Sequence, residues 1–246
     1  MKILAIDTST QTLGVALLED GQLIVESISN LKINHSIRLM PLIEQVFATA
    51  GWRPEEIGLV AVAKGPGSYT GLRVGVTTAK TYAWALNAPL VAVSTLAVMA
   101  YPLRHYGGAI APIIDARRGE VYTGLFSGKT EDSTSRAADA RQYQELAPER
   151  IMLLTEWLAE IREIVGRAEL AERRVIFVGG DIVKHASELA KWSDFVDLAA
   201  ADYALPRPGV LGLLGYQQYL AGDLANVHTL TPTYLQLAYA EKLKKR

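Results

Sequence analysis

The sequence predicts an α/β protein made of two lobes that repeat one pattern of strands and helices. Two observations carry this prediction. Each half opens with an apolar strand that ends in an aspartate, Asp7 in the first half and Asp115 in the second, and a polar turn follows each aspartate. In both halves, apolar runs of strand length then alternate with amphipathic runs of helix length, which is the pattern of a layered α/β fold.

The first half predicts the element order β-β-β-α-β-α-β-α. Strands are predicted at residues 2–6, 13–18, 22–28, 59–63 and 90–93. Helices are predicted at residues 36–50, 70–86 and 95–103. Asp20-Gly21 is a strong signal for a tight hairpin between the second and third strands. Pro41 lies inside the first predicted helix and predicts a bend or a later start, because proline removes one helical hydrogen bond.

The second half begins the same pattern again. Strands are predicted at residues 109–114, 121–126 and 175–178, with a strand-like piece at 230–237. Helices are predicted at residues 155–171, 181–192 and 208–221. Residues 128–150 are polar with few large apolar side chains, which predicts a mobile stretch. We expect an N-terminal lobe over residues 1–106 and a C-terminal lobe over residues 107–246, whose last segment packs back on the first lobe. This duplication is typical of two ribonuclease H-like lobes, as in the actin/sugar-kinase (ASKHA) superfamily.

Composition excludes several classes of protein. The 246 residues carry a net charge of −1, half of them are apolar, and none is cysteine. The absence of cysteine excludes a disulfide framework and any cysteine-ligated zinc or iron–sulfur site. A near-zero net charge argues against a protein that holds nucleic acid by itself, because such binding depends on neutralising phosphates. No apolar run approaches the roughly 20 residues of a spanning helix, so we expect a cytoplasmic protein without membrane contact.

A glycine-rich segment, KGPGSYTGLRVG at residues 64–75, joins a predicted strand to a predicted helix. One interpretation is a phosphate-binding loop at a helix N-terminus, with Gly65, Gly67 and Ser68 as candidate residues. The spacing matches neither the dinucleotide fingerprint nor the P-loop, since its only lysine precedes the glycines. The other interpretation is a tight strand-to-helix turn whose glycines allow close packing.

The remaining chemistry-bearing residues predict no catalytic site and no metal site. The four histidines, His35, His105, His185 and His228, are far apart in sequence, so no helical pair of ligands exists. Neither Ser9 nor Ser68 lies in a G-x-S-x-G nucleophile elbow. For Asp115 the favoured interpretation is a side chain that caps its own turn. For Asp7 both a turn-capping role and a role at a bound phosphate stay open, and no cofactor is expected.

Five segments resemble the bacterial TsaB family, formerly YeaZ. They are ILAIDTST at 3–10, NHSIRLMPLI at 34–43, GPGSYTGLRVGVTTAK at 65–80, DARRGEVY at 115–122 and TPTYLQ at 231–236. The resemblance implies a non-catalytic scaffolding subunit in the synthesis of threonylcarbamoyladenosine beside the anticodon of tRNAs that read codons starting with adenine. The implied partners are a TsaD-like transferase, a TsaE-like ATPase, a second copy of the chain when alone, and tRNA through the complex.

Other members of the superfamily suggest an alternative and two weaker sites. The alternative function is an independent small-molecule kinase or ATPase that uses Asp7 and residues 65–71. Gly180, in a Gly-Gly turn after the strand at 175–178, resembles the place where superfamily members bind adenosine. The basic residues Lys242, Lys244, Lys245 and Arg246 are either a contact to tRNA or a solubilising end.

The first two predicted helices also offer a partner surface. Small residues four apart, Gly71, Gly75 and Ala79, form a smooth ridge along the second helix that another helix can approach closely. The residues expected at the interface are His35, Ser36, Leu39, Ile43, Phe47, Gly71, Leu72, Gly75, Val76 and Ala79. The alternative is that this ridge packs on the protein's own sheet. The family resemblance favours the partner surface, because family members use this helix pair for self-association and for binding TsaD.

Overall fold

The computed structural model describes residues 1–31, 34–128 and 143–235. Within these residues the chain forms two five-stranded sheets, each with helices packed against it. Both sheets have the same strand order when numbered along their own half: third, second, first, fourth, fifth. In each sheet the first strand pairs antiparallel with the second and parallel with the fourth. This repeat of one ribonuclease H-like topology confirms the predicted two-lobed α/β fold.

The first sheet is built from the first half of the chain. Its strands are β1 (Lys2–Asp7), β2 (Leu13–Glu19), β3 (Gln22–Ser29), β4 (Ile57–Gly65) and β5 (Leu90–Ser94). The hairpin between β2 and β3 is present where it was predicted. Asp20 and Gly21 both have positive φ, 49° and 80°, as a tight hairpin turn requires.

Three helices follow strands of the first sheet. They are α1 (His35–Ala50), α2 (Tyr69–Ala85) and α3 (Thr95–Ala100), the last extended by a 3₁₀ turn at Tyr101–Leu103. The side chains of Ser68 and Ser94 cap α2 and α3, each accepting a hydrogen bond from an amide in the first turn. The prediction of a late start at Pro41 is wrong, since α1 begins at His35 and continues through Pro41; the predicted bend stays a prediction. Pro41 faces solvent and costs one backbone bond.

The second sheet repeats the arrangement. Its strands are β6 (Ala109–Arg117), β7 (Glu120–Gly128), β8 (Tyr143–Leu153), β9 (Val175–Val178) and β10 (Val196–Leu198). The later helices are α4 (Leu154–Arg167), α5 (Ile182–Leu189) and α6 (Pro208–Leu220).

Part of the stretch predicted to be polar and mobile, residues 129–142, lies outside the described residues. Its end, expected to be loop, forms β8, because the backbone pairs with β7 despite the polar composition. Residues 230–235 form no strand, since the one backbone hydrogen bond described between them and a strand is that from Thr233 N to Lys64 O.

The two faces of the first sheet are covered by helices from different parts of the chain. One face buries Leu4, Val60 and their neighbours under α1 and α2. The opposite face buries Ala5, Ala61 and Val91 under α6, which returns from the second half of the chain. Glycines let α6 approach closely: a Cβ at position 215 would lie 2.8 Å from the Ala61 side chain. The inward faces of α1 and α2 are therefore buried against the sheet of the same chain.

Among the described helices none has the length and apolar character needed to cross a lipid bilayer.

Candidate partner-binding surface

The glycine-rich loop after β4 is tied directly to the turn that follows β1. The amide N–H of Ser68 donates to the carbonyl oxygen of Ser9 at 2.6 Å. The hydroxyl of Ser68 accepts from the Gly71 amide at 3.3 Å, which caps α2. Gly65 has a φ of 109°, in the region that favours glycine, and turns the chain from β4 into this loop. Two of the amides at the start of α2, those of Ser68 and Gly71, are thus already bonded within the protein.

Glycines make this close approach possible. A Cβ at Gly67 would overlap the carbonyl oxygen of Ser9, and a Cβ at Gly71 would overlap that of Thr8. A Cβ at Gly75, one turn further along α2, would overlap the Thr8 hydroxyl. That hydroxyl donates to the Gly71 carbonyl at 2.7 Å. The geometry therefore favours the tight-turn interpretation of Gly65, Gly67 and Ser68 over a phosphate-binding loop.

Asp7 lies beneath this contact and faces its own turn. Its side chain is 1% exposed, and Oδ1 accepts from the Ser9 amide at 2.9 Å and the Ser9 hydroxyl at 2.6 Å. Oδ2 has no hydrogen-bond partner among the described residues. Burial raises the pKa of the Asp7 carboxyl, and the hydrogen bonds from Ser9 offset part of that rise. This is the turn-capping role that the sequence left open for Asp7.

Gly180 lies in the other lobe and has different neighbours. The nearest atom to a Cβ at that position is the Ala204 carbonyl oxygen, at 3.6 Å. The adjacent Asp181 accepts from the Asp115 amide at 2.9 Å and binds Lys184 at 2.7 Å. Asp115 in turn accepts from the Arg117 amide, as a turn-capping aspartate does. None of the described contacts joins Gly180 to the loop formed by Asp7, Gly65, Gly67 and Ser68.

In the described part of the chain, no three histidine, aspartate or glutamate side chains lie close enough together to hold a metal ion. The basic residues 242 and 244–246 lie outside the described residues.

The predicted interface residues of the helix pair lie mostly on its inward side. They pack against the first sheet and are almost fully buried: Leu39, Ile43, Phe47, Gly71, Leu72, Gly75, Val76 and Ala79. This is a correction to the expectation that they contact a partner. The small-residue ridge faces the end of β1 because only glycine at 71 and 75 lets α2 approach Thr8 so closely. His35 is half-buried, with Nε2 2.8 Å from the Thr10 carbonyl oxygen, and Ser36 is exposed.

The opposite side of the same helix pair exposes large apolar side chains. Ile37 on α1 and Trp84 on α2 are each 69% exposed, and Met40 and Tyr69 are also exposed. Single exposed apolar residues are ordinary, but four on two adjacent helices form a surface suited to a protein partner. The sequence carried a signal for them, because Ile37 and Met40 share the helical repeat of α1 with the buried residues. Which of these residues face the solvent and which face the protein interior could not be assigned without knowing where the sheet lies.

Comparison with known proteins identifies the family. The family model described as "TsaD: tRNA N6-adenosine threonylcarbamoyltransferase" matches residues 24–243. A protein of Bacillus subtilis named tRNA threonylcarbamoyladenosine biosynthesis protein TsaB is 41% identical over 244 residues, which cover 98% of this chain and 96% of that protein. The chain belongs to the TsaB family.

This TsaB-family chain is also similar to a second relative of the same name, to a solved structure of the same fold and, over part of its length, to a transferase. The Escherichia coli protein of the same name is 32% identical, over 96% of this chain and 95% of its own length. A solved structure titled "YeaZ from Pseudomonas aeruginosa" matches with a TM-score of 0.71 and 24% identity, and covers 95% of this chain and 99% of that one. A tRNA N6-adenosine threonylcarbamoyltransferase of Thermus thermophilus is 36% identical over 111 residues, 39% of this chain and 34% of the enzyme.

Proposed function

We propose that this TsaB-family chain is a non-catalytic scaffolding subunit in the addition of threonylcarbamoyl to the adenosine beside the anticodon of tRNAs that read codons starting with adenine. Its partner in this role is a TsaD-type transferase. Two relatives that match 98% and 96% of this chain are named as proteins of threonylcarbamoyladenosine biosynthesis, which supports a role in that pathway. Partial similarity to the transferase itself supports a partner of that type.

One observation carries the non-catalytic part of the proposal: the loop that could have bound a phosphate is filled by the protein's own backbone. The Ser68 amide is bonded to Ser9, and Asp7 accepts only from Ser9 among the described residues. A kinase or ATPase needs an open anion site at such a loop and a carboxylate directed at the bound metal. In this geometry the Ser68 amide already has an acceptor and Oδ1 of Asp7 is bonded within its own turn, which supports a binding role over the alternative.

The proposal places the partner on the outward side of α1 and α2. Self-association uses the same side when the partner is absent, so a homodimer and the complex with the transferase compete. A TsaE-type ATPase joins the complex, tRNA binds through the complex, and the setting is cytoplasmic. In this arrangement residues 1–106 form the lobe that carries the partner-binding helices, and residues 107–246 form the second lobe, whose last segment packs back on the first.

Three measurements test the proposal. Depletion of the protein in its own cell, with the transferase still present, is expected to remove threonylcarbamoyladenosine from tRNA in nucleoside analysis. Purified chain and transferase are expected to form a complex on gel filtration, while the chain alone does not turn over ATP. Unchanged modification after depletion contradicts the pathway, and ATP turnover that Asp7→Asn abolishes contradicts the non-catalytic role.

A further inference from the structure

Arg73, on the outward side of α2, is held between two tyrosines. Its Nε donates to the Tyr234 hydroxyl at 3.1 Å, and its Nη2 donates to the Tyr69 hydroxyl. The guanidinium carbon lies 3.9 Å from the Tyr69 ring centre and 6.0 Å from that of Tyr234. The two rings are themselves 5.1 Å apart. A side chain that is normally flexible is therefore fixed in one orientation.

Tyr234 reaches this position through a segment that returns from the other half of the chain. Residues 225–235 follow α6 and run back over the first lobe. Lys80 on α2 donates to the carbonyls of His228 and Leu230, at 3.2 and 3.0 Å. Thr233 N donates to Lys64 O at 2.7 Å, one residue before Tyr234. These hydrogen bonds hold residues 225–235 against α2, so the side chain of Tyr234 lies at a fixed place beside Arg73.

The charge of Arg73 is not neutralised by any acidic side chain among the described residues. Both of its described hydrogen-bond partners are tyrosine hydroxyls, and it takes part in none of the described ion pairs. A guanidinium has five N–H donors, so three remain after the two bonds to tyrosine. Carboxylates and phosphates are the groups that match this fork of donors. The arrangement calls for an anionic group on another molecule.

The surroundings favour a carboxylate of a protein over a phosphate of RNA. Arg73 contacts Tyr69 directly, and Trp84 on α2 and Ile37 and Met40 on α1 are likewise exposed on this helix pair. An arginine and aromatic residues on an apolar surface are the composition of a protein-interface hot spot. Binding to RNA requires several cations that neutralise phosphates, and the chain as a whole has a net charge of −1.

We propose that Arg73 anchors the transferase-type partner through a carboxylate of that partner, that Tyr69 and Tyr234 position it, and that the segment 225–235 is therefore part of the binding surface. This inference rests on the proposed function, because it assigns the anchor of the same interface. Arg73 touches the partner. Tyr69 and Tyr234 act through Arg73.

The test is a double-mutant cycle on the affinity of the full chain for the purified transferase. Arg73→Ala is expected to weaken binding by about tenfold or more, as truncation of an interface arginine does. Arg73→Lys is expected to lose most of the same affinity, because lysine cannot form the planar contacts to both tyrosines. Tyr234→Phe removes only the hydroxyl and is expected to cost a few-fold. In the Arg73→Ala background it is expected to cost nothing further, since its effect passes through Arg73.

Arg162 supplies a matched control. It also stacks on aromatic rings, at 4.6 Å from Trp192 and 5.1 Å from Phe195, but lies in the second lobe. Arg162→Ala is expected to leave the affinity unchanged. The melting temperature of each variant is compared with that of the wild type, to detect any variant that perturbs folding. If Arg73→Ala lowers the melting temperature, the milder substitution Tyr234→Phe, which removes only a hydroxyl, still tests the proposal.

The outcomes separate the inference from the function on which it rests. If wild-type chain does not bind the transferase, the proposed function fails. If wild type binds and Arg73→Ala binds equally well, the anchor is overturned. If Tyr234→Phe costs the same affinity with and without Arg73, Tyr234 contacts the partner directly and its positioning role is overturned. Loss of tRNA binding by Arg73→Ala, with transferase binding unchanged, overturns the carboxylate in favour of a phosphate.

Discussion

The Ser68 amide donates a 2.6 Å hydrogen bond to the Ser9 carbonyl oxygen, so the loop before α2 rests directly on the turn after β1. This contact has two consequences. It occupies one of the amides at the start of α2 that an anion would use, and it sets α2 so close to β1 that its small residues face inward. The same contact therefore supports the tight-turn interpretation of the loop and decides which side of α2 is left for a partner.

The close approach predicts opposite effects for two helical glycines. Gly75→Ala is expected to lower the free energy of unfolding by about 1–3 kcal/mol, because the added Cβ overlaps the Thr8 hydroxyl. Gly166→Ala is the control, since among the described atoms none lies within 4 Å of its added Cβ. It is expected to raise stability by up to about 1 kcal/mol through helix propensity. Urea unfolding measures both, and equal effects of the two substitutions contradict the packing argument.

Asp7 predicts a pH dependence of stability. Because burial raises its pKa in the folded state, the neutral carboxyl is favoured by folding and the charged one is not. The stabilising contribution is complete below the unfolded pKa, about 3.9, and is lost as the pH rises through the folded value. Asp7→Asn, which stays neutral, is expected to gain stability relative to wild type as the pH rises above about 4. Urea unfolding at several pH values tests this, and a stability difference that does not change with pH contradicts it.

The filled loop predicts that the isolated chain binds ATP with a dissociation constant weaker than about 1 mM. The physical reason is that the Ser68 amide already has an acceptor and Asp7 faces its own turn. Isothermal titration of the purified chain with magnesium and ATP measures the affinity. Micromolar binding that Asp7→Asn weakens is the result that refutes the closed-loop argument.

Exposed side chains on α1 and α2 are predicted to control association without controlling stability. Trp84→Ala is expected to weaken binding to the transferase-type partner, and self-association, by about tenfold or more, because a large apolar side chain is removed from the interface. Leu220→Ala is the control, since Leu220 on α6 is 66% exposed and lies away from the helix pair. Sedimentation and affinity measurements distinguish them, and equal losses for both variants place the interface elsewhere.

Local features of the fold were predictable from short stretches of sequence. Asp20-Gly21 predicted the hairpin because few residue pairs adopt positive φ at both positions. Ser94 predicted the start of α3 because a serine hydroxyl accepts from an amide in the first turn. β8 was missed, since charged residues and a proline interrupt its apolar ones and its strand form comes from pairing with β7. Tyr234 was missed because its neighbours Tyr69 and Arg73 lie more than 160 positions away in the chain.

The sequence by itself determined the duplicated α/β fold and the family, because strand and helix periods and the residues at the turns are local properties. It also determined that Gly71, Gly75 and Ala79 share one side of α2, since helical spacing alone places them there. Only the tertiary structure decided that this side faces the sheet and that Trp84 and Arg73 face outward. A helical repeat states which residues share a side, whereas the direction of that side depends on contacts with residues distant in the chain, here Thr8 and Ser9.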